Sequence, residues 1–308
     1  MDGRQKTEYK GSMTMEPMPE WKQEMDRPRK SLPDLFAVEK PVIGMVHLWP
    51  LPGAPGYSGY GMRTVIEHAL RDAEALVAGG VDGLMVENMW DLPYFVGHDV
   101  KPEAMTAQAV AAAEVVKNFP VPVGINVVHN GGVVCLSIAV AAGARFIRVC
   151  ILTGARLWDT GELDHGCAAE LVRKRKELHA EHIQIFADVD KKHSIPFPGL
   201  DLHTHIEWTE YYGGDALIVS GRMTGAAPDV AKVREARQYA TRPILIGSGS
   251  TAENVGAFLE YADGIIVGSS LKVDGIPEKP VEGKRVRQFM DAVRRVRESS
   301  LKRSQALA

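Results

Sequence analysis

The sequence predicts an α/β protein built as a single (β/α)8 TIM barrel. From Pro41 onward, short runs rich in Val and Ile alternate with longer amphipathic stretches, and there are eight runs of each kind. Near-continuous apolar strands are typical of a parallel sheet that helices cover on both faces, and the alternation favours right-handed βαβ units. Eight strands and eight helices within about 260 residues fit a closed barrel better than an open sheet, which usually has fewer strands.

Each predicted strand is a run of seven or eight residues. The strands are predicted at residues 41–48, 82–88, 121–128, 144–151, 183–189, 215–221, 242–249 and 263–270. The helices are predicted at residues 62–79, 103–118, 132–142, 165–181, 201–212, 228–240, 252–260 and 281–298. Several strands follow a Gly-Gly or Ala-Asp-Gly turn, in which Gly is expected to end the preceding helix.

The chain is predicted to contain one domain with short extensions. Residues 1–35 form an N-terminal extension that is disordered or helical, and its first residues read like an expression leader. Residues 36–300 form the barrel, and residues 301–308 form a C-terminal tail.

Composition excludes several classes of protein. The 308 residues are 45% hydrophobic and carry a net charge of −3, so there is no basic field for nucleic acid. No apolar run approaches the roughly 20 residues that span a bilayer, and no signal peptide is recognisable, so we expect a cytoplasmic protein. Three irregularly spaced cysteines fit buried thiols in a reducing compartment.

The sequence indicates no metal and no cofactor. A GxGxxG turn after the first strand, a GxxxxGK[ST] loop and HExxH or HxxEH spacings are all missing. His203 and His205 lie two residues apart on a predicted helix, where their side chains diverge, so we do not expect a zinc site there.

Polar side chains gather at the carboxyl ends of the predicted strands, which is where TIM barrels place their active sites. A ring of such groups around one mouth is costly to assemble unless it binds a polar ligand. The candidate catalytic or orienting residues are His47, Glu87, Asn126, Arg148, Asp188, Lys192 and His193.

The segment after the fifth strand is the densest in ionisable groups. In an extended chain Asp188, Asp190 and Lys192 share one face, so we expect an Asp-Asp-Lys row that points into the mouth. Lys192 would keep its neighbours ionised for acid/base catalysis, or it would form a Schiff base with a carbonyl substrate if burial lowered its pKa. Arg148 could clamp an anionic ligand or form a buried ion pair with Glu87, and the sequence leaves both open.

Glycine and serine turns follow the last three strands. Such turns between a strand and a helix can aim backbone N–H groups at an anion, and a phosphate site after strands seven and eight is common in this fold. The candidate phosphate-binding residues are Gly221, Thr224, Gly225, Gly247, Ser248, Gly249, Gly268, Ser269 and Ser270.

Motifs at nearly every strand end resemble the BtpA family, which includes SgcQ-like proteins. They are PVIGMVHLWPLPGAPGY, VENMWDLPYF, FIRVCILTGA, FADVDKKH, SGRMTG, GSGSTAENV and DGIIVGSSLK. The resemblance implies a TIM barrel of the ribulose-phosphate-binding type. It also implies two contexts: photosystem I biogenesis with peripheral attachment to thylakoids, and sugar metabolism. The family's Arg-Asn-Asp run after strand three is replaced here by His129, Asn130 and Gly131, and its Asn after FIRV is Cys150.

We therefore expect an enzyme for a small phosphorylated sugar or ribose-phosphate conjugate, working by acid/base chemistry as an isomerase, a lyase or a glycosidic-bond-cleaving enzyme. Replacing Asp188 or Lys192 by Ala is expected to abolish turnover and leave thermal stability roughly unchanged. The rival hypothesis is a noncatalytic accessory factor for photosystem I or membrane-complex assembly. Weak peripheral membrane association, for which the last helix is the candidate, and homo-oligomer formation stay open.

Overall fold

The structure, a computed structural model, describes residues 31–307 except residues 222, 224 and 226. The predicted expression leader therefore lies outside the described residues. The described part contains eleven strands, and in chain order they are β1 Val42–His47, β2 Gly83–Glu87, β3 Val123–Asn126, β4 Phe146–Val149, β5 Ala155–Trp158, β6 Leu163–His165, β7 Gln184–Asp190, β8 Ser194–Pro196, β9 Ala216–Val219, β10 Ile244–Ile246 and β11 Gly264–Val267.

Eight of these strands close into a parallel barrel, which confirms the predicted (β/α)8 fold. Their order around the barrel is β1-β11-β10-β9-β7-β4-β3-β2. Each lies within one of the eight predicted runs, except that β7 extends one residue beyond its run, to Asp190. The α-helices in the described part are α1 Leu32–Phe36, α2 Gly61–Gly79, α3 Pro102–Asn118, α4 Gly132–Ala142, α5 Ala168–Glu177, α6 Leu202–Tyr211, α7 Val230–Tyr239, α8 Val255–Leu259 and α9 Gly283–Leu307. None of them is both long and apolar enough to cross a membrane.

The inside of the barrel is apolar at its lower end. Alternate residues of the strands point inward, and Met45, Met85, Phe146 and Phe186 belong to one buried cluster there. Two positions further along each strand the inward residues become polar or glycine. The alternation therefore separates a packed core from a polar mouth at the carboxyl ends of the strands.

A short N-terminal helix packs against this interior cluster. Ser31 caps α1 and forms a reciprocal capping box with Asp34, and Leu32 and Phe36 join the barrel cluster. The Phe36 and Phe146 rings meet edge to face at 5.6 Å. Residues 31–36, which we assigned to the extension and the first residue of the barrel, are thus part of the packed core.

A second, three-stranded antiparallel sheet, which was not predicted from the sequence, interrupts the regular alternation. It consists of β6, β5 and β8 in that order, so it joins the chain after β4 to the chain after β7. Arg156 holds it together by donating to Ser194 Oγ at 2.8 Å. Because β6 ends at His165, α5 begins at Ala168, later than the predicted start at residue 165.

The last helix is longer than predicted. A separate tail was expected over residues 301–308, whereas α9 continues to Leu307. Its apolar side, including Val286, Phe289 and Val293, is buried in the main core. That side of α9 is therefore occupied by the barrel, which weakens α9 as a membrane-binding helix.

Candidate active site at the mouth of the barrel

Four of the predicted site residues lie side by side at one level of the barrel. His47 is in register with Glu87, Glu87 with Asn126, and Asn126 with Arg148. Neighbours in parallel register point to the same side of a sheet, so β1 to β4 present an unbroken polar row. The corresponding inward positions on β7 and after β9 are Asp188 and Ser220, which extend the row around the barrel.

Glu87 stands at the centre of the first half of this row. Asn126 Nδ2 donates to Glu87 Oε2, and His47 Nε2 lies 3.7 Å from Glu87 Oε1. Burial would raise the pKa of Glu87, but the cations around it, which include Lys192 and Arg148, outweigh burial and lower that pKa. Burial lowers the pKa of His47 to about 4, so a neutral imidazole faces an ionised carboxylate at neutral pH.

Arg148 pairs with Asp188, not with Glu87. Arg148 Nε and Nη2 donate to the two Asp188 carboxylate oxygens at 2.9 and 2.8 Å. Ser220 Oγ also donates to Asp188 at 3.2 Å, and Lys191 Nζ lies 3.9 Å away. Burial would raise the pKa of Asp188, yet Arg148 and Lys191 lower it. A carboxylate held by so many donors suits charge balance better than proton transfer.

The expected Asp-Asp-Lys row is not present. A bulge between Asp188 and Asp190 shifts the register of β7 against β9, so alternation breaks at this point. Asp190 instead binds Lys232 of α7 at 2.7 Å. The bulge also places Lys191, whose ammonium is buried, beside Asp188, and it leaves Lys192 to face the mouth.

Lys192 differs from the other lysines near the mouth because it has no carboxylate partner among the described residues. Lys191, Lys232 and Lys272 each lie within 4 Å of a carboxylate. In the described part of the chain Lys192 has neither an ion pair nor a hydrogen bond. Burial and the neighbouring Lys191 lower the pKa of Lys192 to about 8.

A polar cavity of ≈ 290 Å³ lies at the mouth and brings the two predicted halves of the site together. His47, Glu87, Arg148 and Lys192 line one side. The predicted phosphate-binding residues that line it are Gly225, Gly247, Ser248, Gly249, Gly268, Ser269 and Ser270. Asn126 and Asp188 do not line it but hold Glu87 and Arg148.

Two glycines open this cavity, a role different from the one predicted. Gly247 and Gly268 occupy the inward positions after β10 and β11. A Cβ on Gly247 would lie 2.4 Å from Ser220 Oγ, and one on Gly268 would lie 3.0 Å from His47 Cε1. The Gly247 N–H is already bonded to Val219 O, so this residue provides space rather than an anion donor.

Five of the other predicted phosphate-binding residues divide into three groups. Gly221 donates its N–H to Ser248 Oγ at 3.1 Å and does not line the cavity, so its N–H is already engaged within the protein. Thr224 lies outside the described residues. The N–H groups of Gly249, Ser269 and Ser270 have no acceptor within the described residues and stay candidates.

Three polar side chains of the cavity wall were missed from the sequence. Ser250 Oγ is buried and has no partner in the described part, although it lines the cavity. Thr251 follows it in the GSGST turn, and extending the motif by two residues would have included both. Arg285 reaches the cavity from α9 and donates to Ser270 O at 3.3 Å. No local motif indicates Arg285 as a site residue, because it lies on α9, well beyond the end of the last strand, β11.

His193 lies directly before β8 of the three-stranded sheet and does not line this cavity. Its Nδ1 is 2.9 Å from Asp159 Oδ2. The family departures lie in the same region, since His129 stacks on Trp158 at 4.2 Å. The structure thus separates His193 from Glu87 and Lys192.

No group of three or more His, Cys, Asp and Glu side chains within the described residues has the geometry of a metal site. His205 bonds the carbonyl oxygens of Val189 and Thr153, whereas His203 stacks on Tyr239. The two histidines diverge as predicted. His205 acts as a structural bridge from α6 to strand β7 and to the loop after β4.

The fold and the site define a (β/α)8 barrel with one polar cavity at the carboxyl ends of its strands. The chain belongs to the BtpA family, whose family model matches residues 38–295. This confirms the resemblance carried by the strand-end motifs, and the match covers all eight strands of the barrel.

Two similar proteins illustrate the breadth of the family. An uncharacterised protein of Thermococcus kodakarensis is 40% identical over 262 residues, which cover 85% of this chain and 98% of that protein. The photosystem I biogenesis protein BtpA of Synechocystis is 40% identical over 260 residues, which cover 84% of this chain and 89% of that protein.

Solved TIM barrels match the fold at low sequence identity. The N-(5'-phosphoribosyl)anthranilate isomerase of Pyrococcus furiosus superposes with a TM-score of 0.52 at 13% identity, covering 83% of this chain and 99% of that chain. At this identity the likeness concerns the fold alone.

Proposed function

We propose that the protein is an enzyme that acts on a small phosphorylated sugar or ribose-phosphate conjugate by acid/base chemistry. The observation that carries the proposal is the ≈ 290 Å³ cavity, which has glycine-serine turns and Arg285 on one side and Glu87, Lys192 and His47 on the other. A ligand that spans it needs an anionic end and a polar, reactive end.

The phosphate end is built from backbone and side-chain donors. The unpaired N–H groups of Gly249, Ser269 and Ser270 and the orphaned hydroxyl of Ser250 border the same space. Arg285 supplies a positive charge beside them. A buried hydroxyl without a partner costs free energy unless a ligand satisfies it, so an anion with several acceptor oxygens suits this end.

At the reactive end the groups have distinct protonation states. Glu87 is ionised and is oriented by Asn126, which makes it the candidate base. Lys192, with a pKa of about 8, exchanges protons near neutral pH and is the candidate acid. Neutral His47 can hydrogen-bond a substrate hydroxyl through Nδ1, which has no partner among the described residues. These three side chains could support proton transfer between carbon and oxygen atoms of the substrate, or the release of a leaving group.

The names of two structural neighbours are compatible with a phosphorylated ligand, but they do not establish one for this chain. Phosphoribosylanthranilate isomerase and thiamine phosphate pyrophosphorylase, both from Pyrococcus furiosus, are barrels whose names include a phosphorylated ligand. Three free cysteines fit the reducing interior of a cell, and we propose a cytoplasmic location.

The test is a thermal-shift screen of phosphorylated sugars and their unphosphorylated counterparts, followed by a turnover assay on the hits. A ligand that binds only the folded state at 100 times its Kd adds about 2.7 kcal/mol of stability. We expect Glu87→Gln to remove turnover, whereas Lys117→Ala on the exposed surface of α3 leaves it unchanged. Failure of every phosphorylated compound to raise the melting temperature would contradict the proposal.

The second candidate, a noncatalytic assembly factor, is favoured by one observation, the name of the Synechocystis relative. Deleting the chain after residue 284 would not be an informative test of membrane binding by α9, because the deletion would remove Val286, Phe289 and Val293 from the core. Flotation of the full-length protein with anionic liposomes is the appropriate test. Flotation by wild type that Glu87→Gln does not alter, together with no turnover on any phosphosugar, would support this candidate.

A further inference from the structure

We propose that Lys192 is a covalent catalyst, whose side-chain nitrogen forms an imine with the carbonyl carbon of an open-chain sugar phosphate. This inference rests on the proposed function for the phosphate, and it narrows the substrate class to phosphorylated aldoses and ketoses. Ring-closed glycosides have no free carbonyl and fall outside that class.

The surroundings of Lys192 distinguish it from the other lysines of the mouth. The ammonium groups of Lys232 and Lys272 lie 2.7 and 2.5 Å from carboxylate oxygens, and that of Lys191 lies 3.9 Å from one. An amine locked in an ion pair stays protonated and cannot attack a carbonyl. Lys192 has no such partner within the described residues and borders open space.

Positive charges beside Lys192 favour its neutral form. Lys191 precedes it in the chain, and Arg148 lines the same cavity. Glu87 and Asp188 act in the opposite direction, and Asp188 is already bonded to Arg148. Burial together with Lys191 outweighs both carboxylates. A partly buried lysine next to another cation is the known way to obtain a nucleophilic amine near neutral pH.

Glu87 is placed to carry the protons that the reaction moves. The neutral Lys192 nitrogen attacks the carbonyl carbon, a carbon–nitrogen bond forms, and Glu87 carries the first nitrogen proton to the carbonyl oxygen, which becomes a hydroxyl. Glu87 then takes the second nitrogen proton and gives it to this hydroxyl, so that the carbon–oxygen bond breaks, water leaves and the carbon–nitrogen double bond forms. The overall change joins amine and carbonyl into an imine and one water, with no oxidant or reductant. Glu87 is ionised and oriented by Asn126, as this relay requires.

The two ends of the cavity would bind different parts of the substrate. The phosphate lies against Ser250, Ser269 and Arg285, and the rest of the ligand extends to Glu87 and Lys192. The space of ≈ 290 Å³ has room for a short sugar chain. Binding of the phosphate would hold the carbonyl near the amine and raise its effective concentration.

Borohydride trapping tests the inference directly. The protein is incubated with dihydroxyacetone phosphate, glyceraldehyde 3-phosphate or ribose 5-phosphate, reduced with sodium borohydride and mapped by peptide mass spectrometry. Dihydroxyacetone and glyceraldehyde serve as unphosphorylated probes. We expect at least one phosphorylated probe to label Lys192 ten-fold or more above Lys117, which is exposed on α3. Lys192→Arg, which keeps the charge, should lose this label, and Lys117→Arg should keep it.

The outcomes separate this inference from the proposed function. Labelling of Lys192 no greater than that of Lys117 with every probe would overturn the inference, and a thermal shift with the same phosphates would leave the proposed function standing. Equal labelling of Lys192 by phosphorylated and unphosphorylated probes, without any thermal shift, would support the imine and overturn the phosphate site. Because the label is mapped in wild type, the result does not depend on folding of the variants.

Discussion

Arg148 and Asp188 form a bidentate ion pair inside the barrel, with donor–acceptor distances of 2.9 and 2.8 Å. Both side chains are almost completely withdrawn from solvent, at 2% and 0% exposure. The pair joins β4 to β7, and Ser220 extends it to the end of β9. It therefore fixes the floor of the cavity, on which Arg148 presents its remaining surface to the ligand.

The pair changes the expectation for Asp188 substitutions. Removing one partner leaves an uncompensated buried charge, which typically costs about 3–5 kcal/mol. We therefore expect Asp188→Ala to lower the free energy of unfolding by about that amount in a urea titration, and not to leave stability intact as the sequence suggested. The apolar double variant Arg148→Met/Asp188→Leu should regain part of the loss. A change under about 1 kcal/mol in Asp188→Ala would contradict this account.

The pH dependence of imine formation follows from the charges around Lys192. Lys191, Arg148, Glu87 and Asp188 are the charged groups that act on it, and burial with Lys191 lowers its pKa to about 8. Only the neutral amine reacts, so the trapping rate should rise with pH and level off above about 8.

Replacing Lys191 by Met removes the nearest cation, so the pKa of Lys192 should rise and the midpoint of the profile should move to higher pH. The measurement is the initial rate of borohydride-trapped adduct at Lys192 between pH 6 and 10. Lys117→Met, on the surface, is the matched control. A midpoint that stays in place in Lys191→Met would show that burial alone sets the pKa.

The barrel strands could be predicted because each is a buried apolar run between loop signals, and burial on both faces leaves that signature. The sheet of β5, β6 and β8 has no such signature. Its apolar residues Leu157, Leu163 and Ile195 are exposed, so its strands are not buried apolar runs. The Asp159-Thr160-Gly161 turn was a local hint of the β5–β6 hairpin. The pairing of β5 with β8 crosses an entire βα unit and leaves no local trace.

The convergence of strand-end side chains could be predicted where strand position alone decides it. His47, Glu87, Asn126 and Arg148 end or nearly end successive strands, so their convergence followed from topology. Side-chain pairing did not follow. The bulge at Asp188 and Asp190 breaks the alternation on which the Asp-Asp-Lys row depended. Strand-end position also gave no indication that Gly247 and Gly268 keep the cavity open because they have no side chain.

His47 should make stability depend on pH in the acidic range. Its pKa is lowered from 6.5 to about 4 in the folded state, because burial disfavours the cation. The unfolded chain therefore binds more protons between these values, and stability falls as pH decreases through that window. The shift corresponds to at most about 3 kcal/mol by pH 4.

We expect wild type to lose more unfolding free energy than His47→Gln as pH falls from 6.5 to 4. Urea titrations at each pH measure this difference. His203→Gln, at a half-exposed surface position, should run parallel to wild type. If wild type and His47→Gln kept a constant separation over this range, the imidazole would not be buried in its neutral form.

The phosphate end of the cavity gives the last prediction. Arg285 contributes charge and Ser250 contributes a buried hydroxyl without a protein partner. A charge-assisted hydrogen bond is worth about 1.5–3 kcal/mol, so Arg285→Met should weaken binding of a phosphorylated ligand about ten-fold or more. Ser250→Ala should weaken it less and should not destabilise the free protein, because no internal hydrogen bond is lost. Isothermal titration with the phosphosugar that gives the largest thermal shift measures both effects. Arg294→Met, which alters an exposed arginine of the same helix, is the control. Equal affinity in wild type and Arg285→Met would place the phosphate elsewhere in the cavity.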